Sequence, residues 1–198
     1  MATYRPDLPE LPVRMRHLPL DERGYPIPWF VATVNGKPDF RVIRPGGITS
    51  AYKGNTCWLC GHPLGTYKAC VVGPMCGVNR ITSEPASHLE CAEYAARACP
   101  FLTRPLASRN ERDMPDGSAA GIGIKRNPGA CLIWITKQLK PFKFNNCVLF
   151  ELGPPTQITF WAKGRRATRA EIDQAVESGL PLLEEYAKRD GPAGEKQL

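Results

Sequence analysis

The sequence predicts an α+β protein: an antiparallel β-sheet with a treble-clef-like zinc module inserted into it and a helical pair at the C-terminus. Three observations predict this. Runs of β-branched and aromatic residues bounded by turn residues lie before residue 44 and after residue 130. Between them fall Cys57, Cys60, Cys70, Cys76, Cys91 and Cys99, six of the eight cysteines, some paired at metal-ligand spacing. After residue 167 the pattern turns helical.

Residues 1–28 carry Pro6, Pro9, Pro12, Pro19, Pro26 and Pro28. Proline fixes φ and lacks an N–H, so this segment reads as an extended arm. It is expected to lie along the domain or to bind a partner. A single α+β domain is expected over 29–188, with the zinc module at 57–100, a long loop at 103–130 and a flexible tail at 189–198. Within it, 29–34 is an apolar strand, Asn35-Gly36 a hairpin turn and 40–43 the return strand. Residues 44–55 read as a loop. Residues 68–72 form a short strand that breaks at Gly73-Pro74. A helix is predicted from Ser83 as N-cap, with Glu84 and Pro85 in its first turn and Pro100 as its stop.

Three strands follow, in ACLIWIT, NCVLFELG and TQITFWAKG. Cys131 and Cys147 stand in apolar surroundings and read as buried small hydrophobes. Thr168 and Glu171 form a capping box. Ile172, Ala175, Val176 and Leu180 share one helical face, and Gly179 and Pro181 divide this helix from a second at 182–188.

The chemistry concentrates in two local pairs. Cys57 and Cys60 have the C-x2-C spacing that lets two thiolates on a tight turn reach one ion, with Gly61 relaxing the turn. His88 and Cys91 stand at i and i+3 at the head of the predicted helix, so both project from one face. Together they make a Cys3His set for one structural zinc ion. Cys76, in GPMCGVNR, is an alternative to His88 that would make the set all-cysteine.

Catalytic readings stand beside this one. His88-Leu89-Glu90 matches the H-x-E of zinc deaminases, with Glu90 as proton shuttle. His62, with Asn79, is the candidate base for a His-Asn-His type of metal nuclease. Cys76 is a candidate nucleophile, which would need His88 or His62 as its base.

The net charge is +7 and the pI about 9.1, which favours an anionic partner, DNA or RNA above all. No segment is a basic block, and a mild positive excess on an ordinary surface accounts for the charge equally well. The candidate anion contacts are Arg80, Arg104, Arg109, Lys125, Arg126, Arg165, Arg166 and Arg169. Arg80 has a local alternative as a salt-bridge partner of Glu84. Phe160 and Trp161 would stack on bases or belong to the core. No apolar run reaches the roughly 20 residues that cross a bilayer, and prolines and arginines interrupt the first twenty residues where a signal peptide would need an apolar run. A cytoplasmic protein without membrane contact is expected.

Six stretches carry a resemblance: LDERGYPIPWFV, CWLCGHPLG, GPMCGVNR, SEPASHLECAEYAARACPFLTRP, RNPG and GRRATRAEIDQAVESGLPLL. Together, over 20–183, they resemble a family of small uncharacterised bacterial and phage proteins. The resemblance implies a complete small protein of its own kind, phage-borne and working in the host cytoplasm. It brings no activity, substrate or site. The functional expectation is therefore a zinc-stabilised binding protein with an anionic partner. The alternatives are a metal-dependent enzyme acting on nucleic acid or nucleotides, and a protein–protein adaptor using the arm and the long loop.

Overall fold

Asn35 and Gly36 both take left-handed backbone, at φ 50° and 77°, the geometry of a tight hairpin turn. They join β1 (Val31–Val34) to β2 (Lys37–Ile43) antiparallel. This hairpin opens a computed structural model that describes residues 2–105, 107, 108, 110, 112, 127–144, 147–189 and 191–195.

The arm before it is not simply extended: it makes a 3-10 turn at Val13–Met15 and folds back where Leu20 bridges Pro26, and it is built into the domain. Met15 and Leu18 are buried in the same apolar cluster as Cys57 and Cys60. The Tyr4 hydroxyl meets the Pro9 carbonyl and lies 3.0 Å from the Tyr94 hydroxyl. Gly24, at φ 80°, is pressed against the chain start, where an added Cβ would stand 2.4 Å from the Thr3 carbonyl oxygen.

Residues 44–55 differ from the predicted loop. Gly46 turns left-handed at φ 68° and releases α1 (Gly47–Lys53). A glycine pair hides a helix start from a propensity reading, because only tertiary burial of Ala51 reveals it. The strand β3 (Lys68–Val72) is followed not by a loop but by α2 (Pro74–Asn79). Pro74 at its first position has no N–H to lose. Gly77 lets α2 lie on the sheet, since a Cβ there would sit 2.8 Å from Leu132 Cδ2.

After β4 (Ile81–Thr82), the predicted helix begins later than Ser83: α3 spans Leu89–Ala98, with His88 as its N-cap residue. The backbone of Ser87 pairs with Ala69, and the Ala86 carbonyl accepts the Trp58 N–H at 2.9 Å. Both bonds hold this stretch extended. Cys99, at ψ 119°, breaks the helix before Pro100, and α4 (Pro100–Thr103) follows. Asn127 closes α4: its Nδ2 lies 2.7, 3.1 and 3.0 Å from the carbonyl oxygens of Phe101, Leu102 and Arg104. The helix-end carbonyls thereby find a donor.

The C-terminal part contains five strands where three were expected: β5 (Cys131–Thr136), β6 (Leu139–Phe144), β7 (Cys147–Leu152), β8 (Pro155–Ala162) and β9 (Arg165–Arg166). They do not make one sheet. One antiparallel sheet has the order β3-β5-β8-β9, and another β4-β7-β6. The chain leaves β5, makes the β6–β7 hairpin and returns to β5 as β8. Two side chains pin this branch. Trp134 Nε1 donates to the Gly153 carbonyl at 2.9 Å, and the buried Thr136 hydroxyl sits 3.2 and 3.0 Å from the carbonyls of Gln138 and Pro154.

All six residues of β5 are buried. One face packs Cys131, Ile133 and Ile135 against Ala92 and Ala96 of α3, whose small side chains let the helix come close. Leu132 and Trp134 fill the other face with Cys70, Val72 and Leu152. Cys131 is buried as expected. Cys147 is exposed instead, because it closes the tip of the β6–β7 hairpin.

The expected C-terminal pair is one helix, α5 (Arg169–Arg189), followed by a short α6 (Pro192–Glu195). Pro181 costs this helix a hydrogen bond without ending it. Gly179 is packed against Met75 of α2, with a Cβ position 2.9 Å from its sulfur, so the residue read as a breaker is a helix–helix contact. Of the four residues placed on the apolar face, Ala175 is fully buried, and Gly179 and Ala187 extend that face.

Candidate metal centre

The knuckle is set by its backbone. Cys57 N–H donates to the His62 carbonyl at 2.8 Å, and Gly61 N–H donates back to the Cys57 carbonyl at 2.9 Å. Gly61 is required twice: its φ is 77°, and a Cβ would collide with Trp29 at 2.5 Å. Trp58, between the two cysteines, stacks on Phe30 with centroids 4.7 Å apart and so ties the knuckle to the hairpin.

The other half comes from the head of α3. His88, in extended backbone, and Cys91, one helical turn further, face the knuckle. The ligand atoms of Cys57, Cys60, His88 and Cys91 all lie within 4.8 Å of one another. His88 Nδ1 is 3.4 Å from Cys60 Sγ and 4.0 Å from Cys91 Sγ. A tetrahedral ion at about 2.3 Å from sulfur needs ligand–ligand edges just under about 4 Å, so small side-chain movements close the shell. The three cysteines are 0% exposed. These four residues form a group that can hold one metal ion.

The surroundings prepare the donors. His88 Nε2 is 3.0 Å from the Pro63 carbonyl oxygen. A carbonyl only accepts, so Nε2 carries the proton and Nδ1 keeps its lone pair toward the sulfurs. Cys57 Sγ accepts N–H groups from Cys60 at 3.5 Å and His88 at 3.4 Å. With thiol donation from Cys60 and Cys91 as the largest influence, Cys57 is pulled well below the ordinary thiol range, and Cys91 is pushed far above it by the same neighbours.

Cys76 stands outside the group. It lies in α2, half-buried, and burial pushes its thiol up to about 11, the opposite of an activated nucleophile. Glu90 is on the surface of α3 and accepts a 2.7 Å salt bridge from Arg14 of the arm. His62 is exposed and stacks on His17, with centroids 4.4 Å apart.

The basic residues fall into two sets. Arg165 pairs bidentately with Glu171 at 2.9 and 2.8 Å, inside the capping box that Thr168 and Glu171 form. Arg166 lies 3.4 Å from Glu93 and over the Trp161 ring, and Arg169 pairs with Asp173 at 2.8 Å. Trp161 is buried with Ile133 and Ala92, and Phe160 packs partly buried against the other cluster, that of Leu132 and Trp134. Arg80 ends α2 in left-handed backbone at φ 57°, exposed, and makes no ion pair with Glu84 or any other described residue. Arg104 is exposed after α4. Arg109, Lys125 and Arg126 lie outside the described residues.

One surface was passed over in the sequence. Pro141 argues against a strand at 139–144, yet β6 is an edge strand, where proline is tolerated. The alternation Lys140, Phe142, Phe144 was the available signal.

Comparison of the chain with family models, with curated proteins and with solved structures finds no match. Among the described residues no helix is long and apolar enough to cross a membrane.

Proposed function

We propose that this is a binding protein whose fold is held by one structural zinc ion and whose partner is an anionic polymer, DNA or RNA. The observation that carries the first half is Cys91. Its sulfur joins the cluster and is fully buried, so four protein ligands complete a tetrahedral shell and no open position remains for water or substrate. Three thiolates and an imidazole suit zinc. With Cys91 as ligand the H-x-E stretch loses its deaminase sense, and Glu90 has a structural partner in Arg14. The knuckle-and-helix plan is that of a treble clef.

The net charge of +7 supports the anionic partner. The adaptor reading is weakened, because the arm that would bind a partner buries Met15 and Leu18 in this chain's own core.

Metal analysis of the purified protein tests the first half, with about one zinc per chain expected and less than about half overturning it. Affinity for DNA and RNA over a salt series tests the second, since binding without salt dependence would leave no released counterions.

A further inference from the structure

We infer that the outward face of β6, with the lysines around it, is a contact surface for single-stranded nucleic acid. This inference rests on the nucleic-acid reading above and assigns it a place and a strand type.

The register sets the face. Lys140, Phe142 and Phe144 pair with Glu151, Leu149 and Cys147, while the alternate residues Leu139 and Pro141 pair with Leu152 and Phe150. Phe150 and Leu152 are fully buried. Side chains alternate across a strand, so Lys140, Phe142 and Phe144 point away from the core. The two phenylalanines are only half-buried there. At the end of the sheet that feeds β6, Tyr67 is 57% exposed with Lys137 Nζ 5.3 Å from its ring centroid.

Charge complementarity selects the occupant. Lys137, Lys140 and Lys143 make no ion pair among the described residues, whereas the arginines at the start of α5 each face a carboxylate. Lys140 stands on the face of Phe142 and Phe144, while Lys143, opposite Val148, belongs to the alternate face and is exposed at the hairpin end. Ammonium groups beside aromatic rings fit a phosphate backbone and its bases. Rings on a sheet face stack only on bases whose faces are open, and a duplex hides them. Glu151, opposite Lys140, is an acid on the same face, and its charge opposes binding. A second copy of the chain is a poor occupant of the β6 edge, since Pro141 lacks an N–H and the neighbouring lysines repel.

The test uses the full zinc-loaded chain and labelled oligonucleotides of about 15 nucleotides, single-stranded and duplex, over a salt series. The single strand is expected to bind more tightly. Lys140→Ala should lower the salt slope by about 0.7, and Lys143→Ala, at the hairpin end on the alternate face, by less. Phe142→Leu should weaken binding by about tenfold with the slope unchanged, because stacking releases no ions. Glu151→Gln should strengthen it. Arg16→Ala, in the cleft between the arm and α3 and paired with Glu10, is the control. Zinc content and melting temperature identify any variant that has lost its fold, and the exposed lysines remain informative if Phe142→Leu does not fold.

Equal or tighter duplex binding overturns the inference. So does unchanged binding by the lysine variants, and if Arg165→Ala or Arg169→Ala abolishes it instead, the nucleic-acid reading stands at a different corner. A wild-type chain that binds neither form overturns both.

Discussion

Around the Cys3His group, charged side chains and the His88 ring find partners within the chain, while Trp58 Nε1 is buried without one. Arg14 of the arm meets Glu90, His88 Nε2 meets the Pro63 carbonyl, and Arg166 meets Glu93. At and along β6, Lys137, Lys140 and Lys143 form no ion pair among the described residues, although Glu151 stands across from Lys140. The first region spends its chemistry on holding itself together. The second leaves charge and ring faces open to solvent. The contrast separates what the fold needs from what is left over for a partner.

The sharpest way to break this contrast is to remove the metal. Cys57→Ser, or chelation, is expected to lower the melting temperature by on the order of 10 °C or more. In hydrogen exchange, the arm, the knuckle and α3 should lose protection before β5 and β8, which carry none of the four ligands. If β6 and α3 open together, the two regions are one cooperative unit and the contrast fails.

The core between the regions should respond to pH instead. Burial pushes the thiols of Cys70 and Cys131 up from 9.0 to about 12. A raised folded-state value means that the neutral form is favoured in the fold. That stability is fully present below about pH 9 and is lost as pH rises toward 12. Each thiol contributes a loss of up to about 1.4 kcal/mol per pH unit above 9. Urea midpoints at rising pH check this, and Cys70→Ala with Cys131→Ala should flatten the alkaline fall.

A smaller effect is expected at Asn127. Asn127→Ala strips the donor from the carbonyls of Phe101, Leu102 and Arg104 and should cost about 1–3 kcal/mol in denaturant unfolding. A neutral result would mean that water replaces the amide and that this side is less closed than its contacts indicate.

The metal group was legible in the sequence because its two halves are local. C-x2-C and an i, i+3 pair each declare a shared direction without any knowledge of the fold. Only the meeting of the two pairs is tertiary. The rest was hidden for physical reasons. The Arg14–Glu90 and Arg166–Glu93 pairs join residues 76 and 73 positions apart, so a basic corner in sequence is a neutralised one in space. The single C-terminal helix was hidden by Gly179 and Pro181, whose breaking tendency yields to packing on Met75. Pro141 concealed β6, since its tolerance depends on the strand's being at an edge. Local chemistry could be read, and long-range pairing could not.

The smallest prediction contrasts two surface cations. Arg169 is exposed and paired with Asp173 at i, i+4, so Arg169→Ala should cost a few tenths of a kcal/mol, about 0.3–0.5. Lys143 stands opposite Val148, with no carboxylate facing it, and Lys143→Ala should leave stability within about 0.5 kcal/mol of wild type, with no consistent loss. Denaturant midpoints for both variants at low and high salt separate the cases. The Arg169 deficit should shrink as salt screens the pair, and Lys143 should show no deficit to screen. A measurable, salt-sensitive loss at Lys143 would mean that it does pair within the chain, and the open surface would then be as internally satisfied as the closed one. Without that loss, Lys143 carries a charge that folding does not use, which is the property a contact with an anion requires.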